Sequence, residues 1–244
     1  MSTPCVLVLA GLDPSGGAGL LADAEAIRAA GARPLCVATA ITVQTTRAAK
    51  RFEPLAPALV TECAHALMAE EDVRAVKIGM VADAKIGRAI HELLWRRKDL
   101  PVVVDPVLQA TSGLLLFKGA LKEARETYLM LAQRAVLTPN LSEAEVLLGV
   151  SKLGDTEQAA LALLAKGARA VLLKGGHLPG DPVDLLAESG KAERFTAPRI
   201  PSQARGTGCR LASALAAALA LGSSLRDAVL AGREVVRRHL ESHK

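Results

Sequence analysis

A glycine-interrupted turn towards the end of the chain holds the residues best suited to chemistry. Its sequence is Arg205-Gly206-Thr207-Gly208-Cys209, and it opens onto a Leu- and Ala-rich segment, 211–221, that is typical of a buried helix. Glycines permit backbone conformations closed to other residues and let a ligand come close. The start of a helix offers unpaired N–H groups and a partial positive charge, which suit a phosphate or a developing anion.

Cys209 lies at this predicted helix start, where the pKa of a thiol tends to fall and a proton can be taken from a substrate. We therefore expect an anion hole with Cys209 as its proton acceptor. An alcohol that loses its proton late, with the anion hole doing most of the stabilisation, is the alternative. Taken alone, the turn also fits a small buried cysteine at a helix cap, so the rest of the chain has to decide.

Other chemically capable side chains follow predicted strands. Asp105 and Asn140 each lie beside a proline, Glu143 comes three residues after Asn140, and Lys174 precedes two glycines. Oxygen ligands of this kind suit Mg²⁺, and Mg²⁺ with a lysine and a helix N-terminus neutralises a transferring phosphoryl group. Each residue alone also fits a strand-end turn or a first-turn acid. Their joint position favours a phosphoryl-transfer site.

The composition argues against nucleic acid and membrane partners. The 244 residues carry a net charge of +5, but Lys and Arg are scattered and aromatic residues make up only 2%, which leaves little to stack bases on. No apolar run could span a bilayer without Gly or charge, and the amino terminus lacks a signal-peptide pattern. The four cysteines show no CxxC spacing, which disfavours zinc. These features predict a cytoplasmic protein.

Short apolar strands alternate with helical stretches along the chain. The predicted strands are 5–10, 34–41, 75–80, 101–104, 135–138 and 168–173, then a hairpin of 183–188 and 193–196. The predicted helices are 20–30, 59–70, one capped by Asp83 that runs to 97, 119–133, one that begins at Ser142, 156–166, 211–221 and 225–240.

This order predicts a single α/β domain, 1–244, with a mainly parallel sheet and helices on both faces. Ligands in such folds bind at the carboxyl ends of the strands. The chemically unusual segments fall there: 11–19, 79–80, 105–106, 139–140 and 174–177. No GxxxxGK[ST] loop and no clean GxGxxG occurs, which excludes a P-loop enzyme and disfavours a Rossmann nucleotide site. We assign no role to His177.

Six short motifs occur in order over nearly the whole chain, from about residue 5 to 240. They are GLDPSGGAG at 11–19 with Asp23, KIGM at 77–80, VDPV at 104–107, TPNLSE at 138–143, LKGGH at 173–177 and GTGC at 206–209. The ordered set resembles the hydroxymethylpyrimidine/phosphomethylpyrimidine kinases of thiamine biosynthesis. This resemblance implies a ribokinase-like three-layer fold, ATP and Mg²⁺ as cofactors, and a homodimer.

The resemblance also implies two successive phosphorylations and a set of residue roles. The first phosphorylation is on the hydroxymethyl oxygen of 4-amino-5-hydroxymethyl-2-methylpyrimidine, and the second converts the monophosphate to the diphosphate. By resemblance, Gly206, Thr207 and Gly208 form the anion hole and Cys209 occupies the position of the base. The other implied roles are metal binding by Asp105 and Glu143, nucleotide binding by Asn140, Lys174 and Arg205, and pyrimidine binding by Gly11, Asp23, Gln44, Met80 and Val107.

Three positions depart from the family pattern. Thr111 stands where the family usually has lysine, residues 203–205 replace Asn-Thr-His, and Arg210 replaces a common threonine. We expect Arg205 or Arg210 to contact a phosphate of the substrate or nucleotide, which would compensate for the missing lysine. The same changes could instead alter the second phosphorylation.

Two other functions stay open at this stage. A pyridoxine or pyridoxal kinase is one, because some relatives with this glycine turn accept that ring. A non-catalytic pyrimidine-binding regulator is the other, and the absence of lysine at Thr111 is the feature in its favour. Retention of Asp105, Glu143, Lys174 and Cys209 argues against a regulator, because ligand sensing needs no phosphoryl-transfer residues.

Overall fold

Strands alternate with helices in the computed structural model, which describes residues 3–110, 112–176, 180–202 and 204–243. The strands are β1 (Cys5–Leu12), β2 (Arg33–Gln44), β3 (Ala49–Pro54), β4 (Val73–Ile78), β5 (Val102–Val104), β6 (Val136–Leu137), β7 (Ala170–Leu173), β8 (Val183–Glu188) and β9 (Lys191–Thr196). The helices are α1 (Gly19–Ala29), α2 (Pro57–Glu70), α3 (Ala84–Trp95), α4 (Leu121–Ala132), α5 (Leu141–Leu148), α6 (Thr156–Ala165), α7 (Thr207–Ala220) and α8 (Leu225–Glu241).

The described strands form one sheet in the order β3-β2-β1-β4-β5-β6-β7-β8-β9. The six central strands, in the order β2-β1-β4-β5-β6-β7, pair in parallel. The edge strand β3 pairs antiparallel with β2, and β8 and β9 are antiparallel at the other edge. The parallel strands therefore end at a common edge, and the loops that follow them meet there.

Helices cover both faces of this sheet. On β1, Leu7 and Leu9 face one buried cluster with side chains from α2 to α6, while Val6, Val8 and Ala10 face a second cluster with α1, α7 and α8. Successive side chains of a strand point to opposite faces, so a strand covered on both sides is apolar throughout, as β1 is. The predicted three-layer α/β fold with a mainly parallel sheet is confirmed.

The sequence missed one strand and misplaced five helix starts by one to four residues, of which those of α5 and α7 concern the site. The missed strand, β3, is an edge strand whose residues are all at least partly exposed, so it lacks the apolar pattern of a core strand. Helix α5 begins at Leu141 with Asn140 as its cap, not at Ser142. Helix α7 begins at Thr207, four residues before the predicted start, so the glycine turn forms its first turn. Among the described helices, none combines the length and apolar character needed to cross a bilayer.

Candidate active site

The backbone at the start of α7 is shaped to hold an anion. Gly206 precedes the helix with φ of 69°, in the left-handed region that favours glycine, and its carbonyl accepts the first helical hydrogen bond, from Arg210 N at 3.0 Å. The N–H groups of Thr207, Gly208 and Cys209 consequently have no acceptor within the helix. Within the described residues no side chain caps this end and no acid lies in its first turn. These N–H groups remain available to a phosphate.

A second glycine-rich loop packs directly against this helix start. A Cβ on Gly206 would lie 2.3 Å from the carbonyl oxygen of Gly17, so the two backbones meet without side chains between them. Gly19, with φ of 59°, approaches Gly11 so closely that its Cβ would lie 2.2 Å from the Gly11 oxygen. The 11–19 loop and the 206–209 turn therefore form one continuous surface, and any larger residue at these positions would separate them.

A charged cluster lies beside this surface. The Lys174 ammonium donates to Asp105 Oδ1 at 2.6 Å and lies 3.9 Å from Glu143 Oε2. A Cβ on Gly208 would lie 3.1 Å from Lys174 Nζ, which places the ammonium at the start of α7. Cys209 lies close enough to this cluster to favour the ionised form of Asp105. Residues that directly follow β5 and β7 thus meet residues of α5 and α7 in one cluster.

The cluster has an unusual distribution of charge. Burial alone would raise the pKa of Asp105, but the charges of Lys174 and Lys77 bring it below its usual value. Burial raises the pKa of Glu143 to about 7; Lys174 opposes that rise and Asp105 adds to it. Burial would lower the pKa of Lys174, but Asp105 and Glu143 raise it instead. Near neutral pH, Asp105 and Lys174 are charged and Glu143 is poised between its two states.

The expectation that the helix start lowers the thiol pKa of Cys209 is wrong. Burial raises that pKa to about 12; Lys77 opposes the rise, while the charges of Asp105 and Asp23 add to it. A hydrogen bond from the Gly19 N–H opposes it too, but does not offset the lost hydration. Cys209 is therefore a neutral thiol at neutral pH.

Asn140 fixes the position of Glu143 through a reciprocal helix cap. Asn140 Oδ1 accepts from Glu143 N at 2.9 Å, and Glu143 Oε2 accepts from Asn140 N at 2.7 Å. The Lys174 N–H also donates to the Pro139 carbonyl at 2.8 Å, which joins this cap to β7. The amide oxygen of Asn140 is thus engaged by its own helix.

Residues predicted to bind the pyrimidine lie at the ends of neighbouring strands. A Cβ on Gly11 would lie 2.6 Å from Met80 Sδ, so Met80 packs directly on the Gly11 backbone. The carbonyl of Met80 accepts from the hydroxyl of Thr39 on β2. Gln44, at the end of β2, donates from Nε2 to Asp13 Oδ2 at 2.9 Å. These contacts bring the ends of β1, β2 and β4 together.

Tyr128 on α4 contacts the backbone beside two of these predicted residues, Met80 and Val107, and was missed by sequence reasoning. Its hydroxyl lies 3.2 Å from the Gly79 carbonyl and 3.1 Å from the Val107 carbonyl, and accepts from Val81 N at 3.4 Å. The hydroxyl has one proton, so it donates a hydrogen bond to either the Gly79 or the Val107 carbonyl at a given moment. Tyr128 thereby links the segments that follow β4 and β5. A lone tyrosine in a helix gives no sequence signal for that position.

Asp23 does not lie open to a substrate. It has no exposed surface, and both carboxylate oxygens lie 2.8 Å from the ammonium of Lys77, which is buried equally. The hydroxyl of Ser213 on α7 donates to the same carboxylate at 2.8 Å. The predicted pyrimidine contact for Asp23 therefore does not fit; the residue joins α1, β4 and α7 behind the site.

The two extra arginines are engaged by protein groups. Arg210 is 6% exposed and forms an ion pair with Glu25 at 2.6 Å, while its other nitrogen lies near the carbonyls of Gly17 and Arg205. Arg205 donates to the carbonyls of Thr45 and Thr46 at 3.1 and 2.8 Å, in the turn between β2 and β3. A Cβ on Gly206 would lie 2.8 Å from Arg210 Nη1, and one on Gly17 would lie 3.5 Å from Arg205 Nη1, so both guanidiniums border the glycine turn and its neighbouring loop.

The structure thus brings most of the predicted site residues together. Gathered around α7 and the strand ends are Gly206, Thr207, Gly208, Cys209, Asp105, Asn140, Glu143, Lys174, Gly11, Gln44, Met80 and Val107. Thr111, His177 and Gln203 lie outside the described residues. In the described part of the chain, no group of three His, Cys, Asp or Glu side chains could hold a metal ion without further ligands.

Comparison with known proteins identifies the family. The sequence model described as phosphomethylpyrimidine kinase matches residues 13–244. The chain belongs to the phosphomethylpyrimidine kinase family. A hydroxymethylpyrimidine/phosphomethylpyrimidine kinase of Streptomyces coelicolor is 40% identical over 240 residues, which is 97% of this chain and 88% of that protein. The resemblance found in the six motifs is confirmed.

The fold of this chain is similar to solved structures of both a phosphomethylpyrimidine kinase and pyridoxal kinases. The chain is similar to the crystal structure of phosphomethylpyrimidine kinase from Clostridium difficile, with a TM-score of 0.82 and 33% identity over 97% of this chain and 99% of that one. It is also similar to a Staphylococcus aureus pyridoxal kinase in complex with AMP-PCP and pyridoxal, with a TM-score of 0.85 and 28% identity over 99% and 89% of the two chains. The ribokinase-like fold expected for the phosphomethylpyrimidine kinase family is confirmed.

Proposed function

We propose that this chain transfers the terminal phosphoryl group of ATP to 4-amino-5-hydroxymethyl-2-methylpyrimidine, and then to the resulting monophosphate, in thiamine biosynthesis. The observation that carries the proposal is the convergence of Asp105, Lys174 and Cys209 on the glycine turn at the start of α7. Phosphoryl transfer needs positioning and charge compensation more than covalent chemistry, and this arrangement offers both. All described strands lie in one sheet, which supports treating residues 1–244 as one kinase domain.

ATP and Mg²⁺ are the cofactors that suit the charged cluster. Mg²⁺ keeps several waters and is commonly bound by one or two carboxylates together with substrate phosphates, so the two acids Asp105 and Glu143 fit it without a third protein ligand. When bound with ATP, Mg²⁺ neutralises negative charge on the phosphate oxygens. Lys174 already neutralises Asp105, and it lies close enough to the start of α7 to bind a phosphate in turn.

The anion hole carries most of the stabilisation in this proposal. The hydroxymethyl oxygen forms a bond to the γ-phosphorus as the bond to the ADP oxygen breaks, and charge accumulates on the oxygens that the N–H groups of α7 face. Cys209 is a neutral thiol, so the hydroxyl proton leaves late and stays with the transferred phosphoryl group. In this proposal Cys209, beside Asp105, helps to orient the acceptor oxygen.

The aminopyrimidine would lie between Gln44 and the wall formed by Gly11, Met80 and Val107. A primary amide both donates and accepts, which matches the edge of an aminopyrimidine. The Met80 side chain packs on the Gly11 backbone and would give the ring an apolar surface beside that amide. In this arrangement the hydroxymethyl group points towards the glycine turn.

Direct turnover measurements test the proposal. ADP release is followed with Mg-ATP and each of three acceptors: the aminopyrimidine alcohol, its monophosphate and pyridoxal. We expect Mg²⁺-dependent ADP release with both pyrimidines. Preference for pyridoxal, which the likeness to the Staphylococcus aureus enzyme makes the main rival, would reject the pyrimidine assignment. Pyrimidine binding without ADP release would instead identify a regulator.

We further propose a cytoplasmic homodimer. ATP is a cytoplasmic donor, and the family resemblance supports two subunits. Light scattering coupled to gel filtration measures the subunit number directly, and a mass equal to one chain would reject the dimer.

A further inference from the structure

Asp13 is a buried acid that the proposed mechanism does not use. It is 3% exposed and immediately follows β1 in the glycine-rich loop. Its Oδ1 accepts from the N–H of Ser15 at 2.9 Å and from the Ser15 hydroxyl at 2.7 Å. Its Oδ2 accepts from the N–H of Ala18 at 3.1 Å and from Gln44 Nε2 at 2.9 Å. Every bond to this carboxylate is thus one that it accepts.

This environment decides which way round the Gln44 amide lies. A carboxylate held by two backbone N–H groups can offer its neighbour only an acceptor, so the amide nitrogen of Gln44 has to face it. One N–H of the amide is used by Asp13, and the other N–H and the carbonyl oxygen remain. Among the described residues, no donor is bonded to the Gln44 carbonyl oxygen. That oxygen is left to accept from a ligand.

The backbone around the pair leaves little freedom to move. Leu12 pairs with Ile41 across β1 and β2, and the Thr42 hydroxyl donates to the Leu12 carbonyl at 3.0 Å. A Cβ on Gly17 would lie 3.7 Å from Asp13 Oδ2, so the loop that borders the anion hole closes over the same carboxylate. Asp13 therefore connects the loop beside the anion hole to the amide that faces the ring.

We propose that Asp13 is a positioning residue that sets acceptor specificity by fixing the Gln44 amide with its carbonyl towards the substrate. This inference rests on the pyrimidine kinase activity proposed above. An exocyclic amino group donates to that carbonyl, whereas the ring hydroxyl of pyridoxal is acidic and, when ionised, can only accept. A fixed carbonyl favours the aminopyrimidine and repels the ionised pyridinol. Asp13 acts on the choice of ring and leaves the phosphoryl-transfer step to other residues.

Asp13→Asn is the informative variant because asparagine keeps the shape but also donates, so Gln44 is free to turn over. The ratio of kcat/KM for the aminopyrimidine alcohol to that for pyridoxal is measured in wild type and variant. We expect this ratio to fall about tenfold, the value of one hydrogen bond gained or lost between the two rings. Both substrates are assayed with the same enzyme preparation, so a smaller fraction of folded enzyme lowers both kcat/KM values equally and leaves their ratio unchanged.

Two further variants separate specificity from loop support. Ser15→Ala removes one bond to the opposite oxygen of Asp13 and leaves Gln44 in place, so its ratio should equal that of wild type. In a Gln44→Ala background, adding Asp13→Asn should change the ratio no further, because Asp13 acts through the amide. A wild-type ratio in Asp13→Asn, or an equal fall in the Gln44→Ala background, overturns the role of Asp13 while the kinase activity stands. No wild-type turnover of the aminopyrimidine would instead overturn the proposed function and this inference with it.

Discussion

The ammonium of Lys174 lies 2.6 Å from Asp105 Oδ1, so the nucleotide-binding cation and the metal-binding acid of the proposed site neutralise each other before any ligand arrives. The two residues are 69 positions apart in the chain and meet because β5 and β7 end at the same edge of the sheet. Glu143 lies 3.9 Å from the same ammonium and is the group left to respond to pH.

Activity should therefore rise with pH through the ionisation of Glu143. Burial raises the pKa of Glu143 to about 7, so the carboxyl is protonated below that value and becomes a carboxylate above it. Only the carboxylate can hold Mg²⁺, so kcat/KM for Mg-ATP should increase between about pH 6 and pH 8. Glu143→Gln should remove this increase and lower activity about 10- to 100-fold at the upper end.

Glu126→Gln is the matched control, because Glu126 is an exposed acid of α4 and its loss should leave the pH profile unchanged. Persistence of the same rise in Glu143→Gln would show that another group titrates.

Replacement of Cys209 by serine should cause little loss of kcat. Burial raises the pKa of its thiol to about 12, which leaves almost no thiolate at neutral pH. A serine hydroxyl can make the polar contacts of a neutral thiol, so Cys209→Ser should keep kcat within about tenfold and leave the pH profile in place. A general base contributes roughly 10²- to 10⁴-fold, so a loss of that size in both Cys209→Ser and Cys209→Ala would restore the base role.

Gly206 should tolerate no side chain. A Cβ there would lie 2.3 Å from the Gly17 carbonyl, so Gly206→Ala has to move the glycine loop or the start of α7. A displacement of about 1 Å in a catalytic group can cost 10²-fold, and we expect a loss of kcat of about that size. Gly222→Ala is the control, because Gly222 also has a positive φ of 87° but no described atom lies within 4 Å of its Cβ. Equal kcat values for the two variants would exclude the anion-hole role of Gly206.

The common edge of the parallel strands explains why much of the site could be predicted from sequence. Asp105, Asn140 and Lys174 each follow a short apolar run, and a parallel sheet brings such positions together whatever the length of chain between them. The apolar run before each of these residues was enough to predict its position at the strand ends. Local composition was also enough for the alternation of strands and helices and hence for the layered fold.

Features that depend on how deeply a residue is buried, or on a partner distant in the chain, could not be predicted from local sequence. The helix start and the burial of Cys209 act on its pKa in opposite directions, and only the folded structure shows that burial dominates. Asp23 and Lys77 are 54 residues apart, and nothing local shows that each is the partner of the other. The edge strand β3 was missed because its exposed residues carry no apolar period.

Asp23 should prove structural when its charge is removed. Asp23→Asn leaves the Lys77 ammonium buried without a counter-charge, and breaking such a pair costs about 3–5 kcal/mol of unfolding free energy, measured by urea titration. The double change Asp23→Leu with Lys77→Met should regain much of that loss, because neither charge remains buried. A stable Asp23→Asn variant with a raised KM for the pyrimidine would instead restore the substrate contact predicted from sequence.

Arg205 should affect both phosphorylation steps equally. Its guanidinium donates to the Thr45 and Thr46 carbonyls and so holds the turn that follows Gln44, the residue proposed to bind the ring. Losing these bonds in Arg205→Ala should raise KM for the alcohol and for the monophosphate together, about five- to tenfold, with little change in kcat. Arg47→Ala removes a cation from the same exposed turn without touching those bonds and should behave as wild type. If Arg205→Ala impairs the monophosphate step alone, Arg205 contacts the substrate phosphate, because only a charge that the alcohol lacks could distinguish the two acceptors.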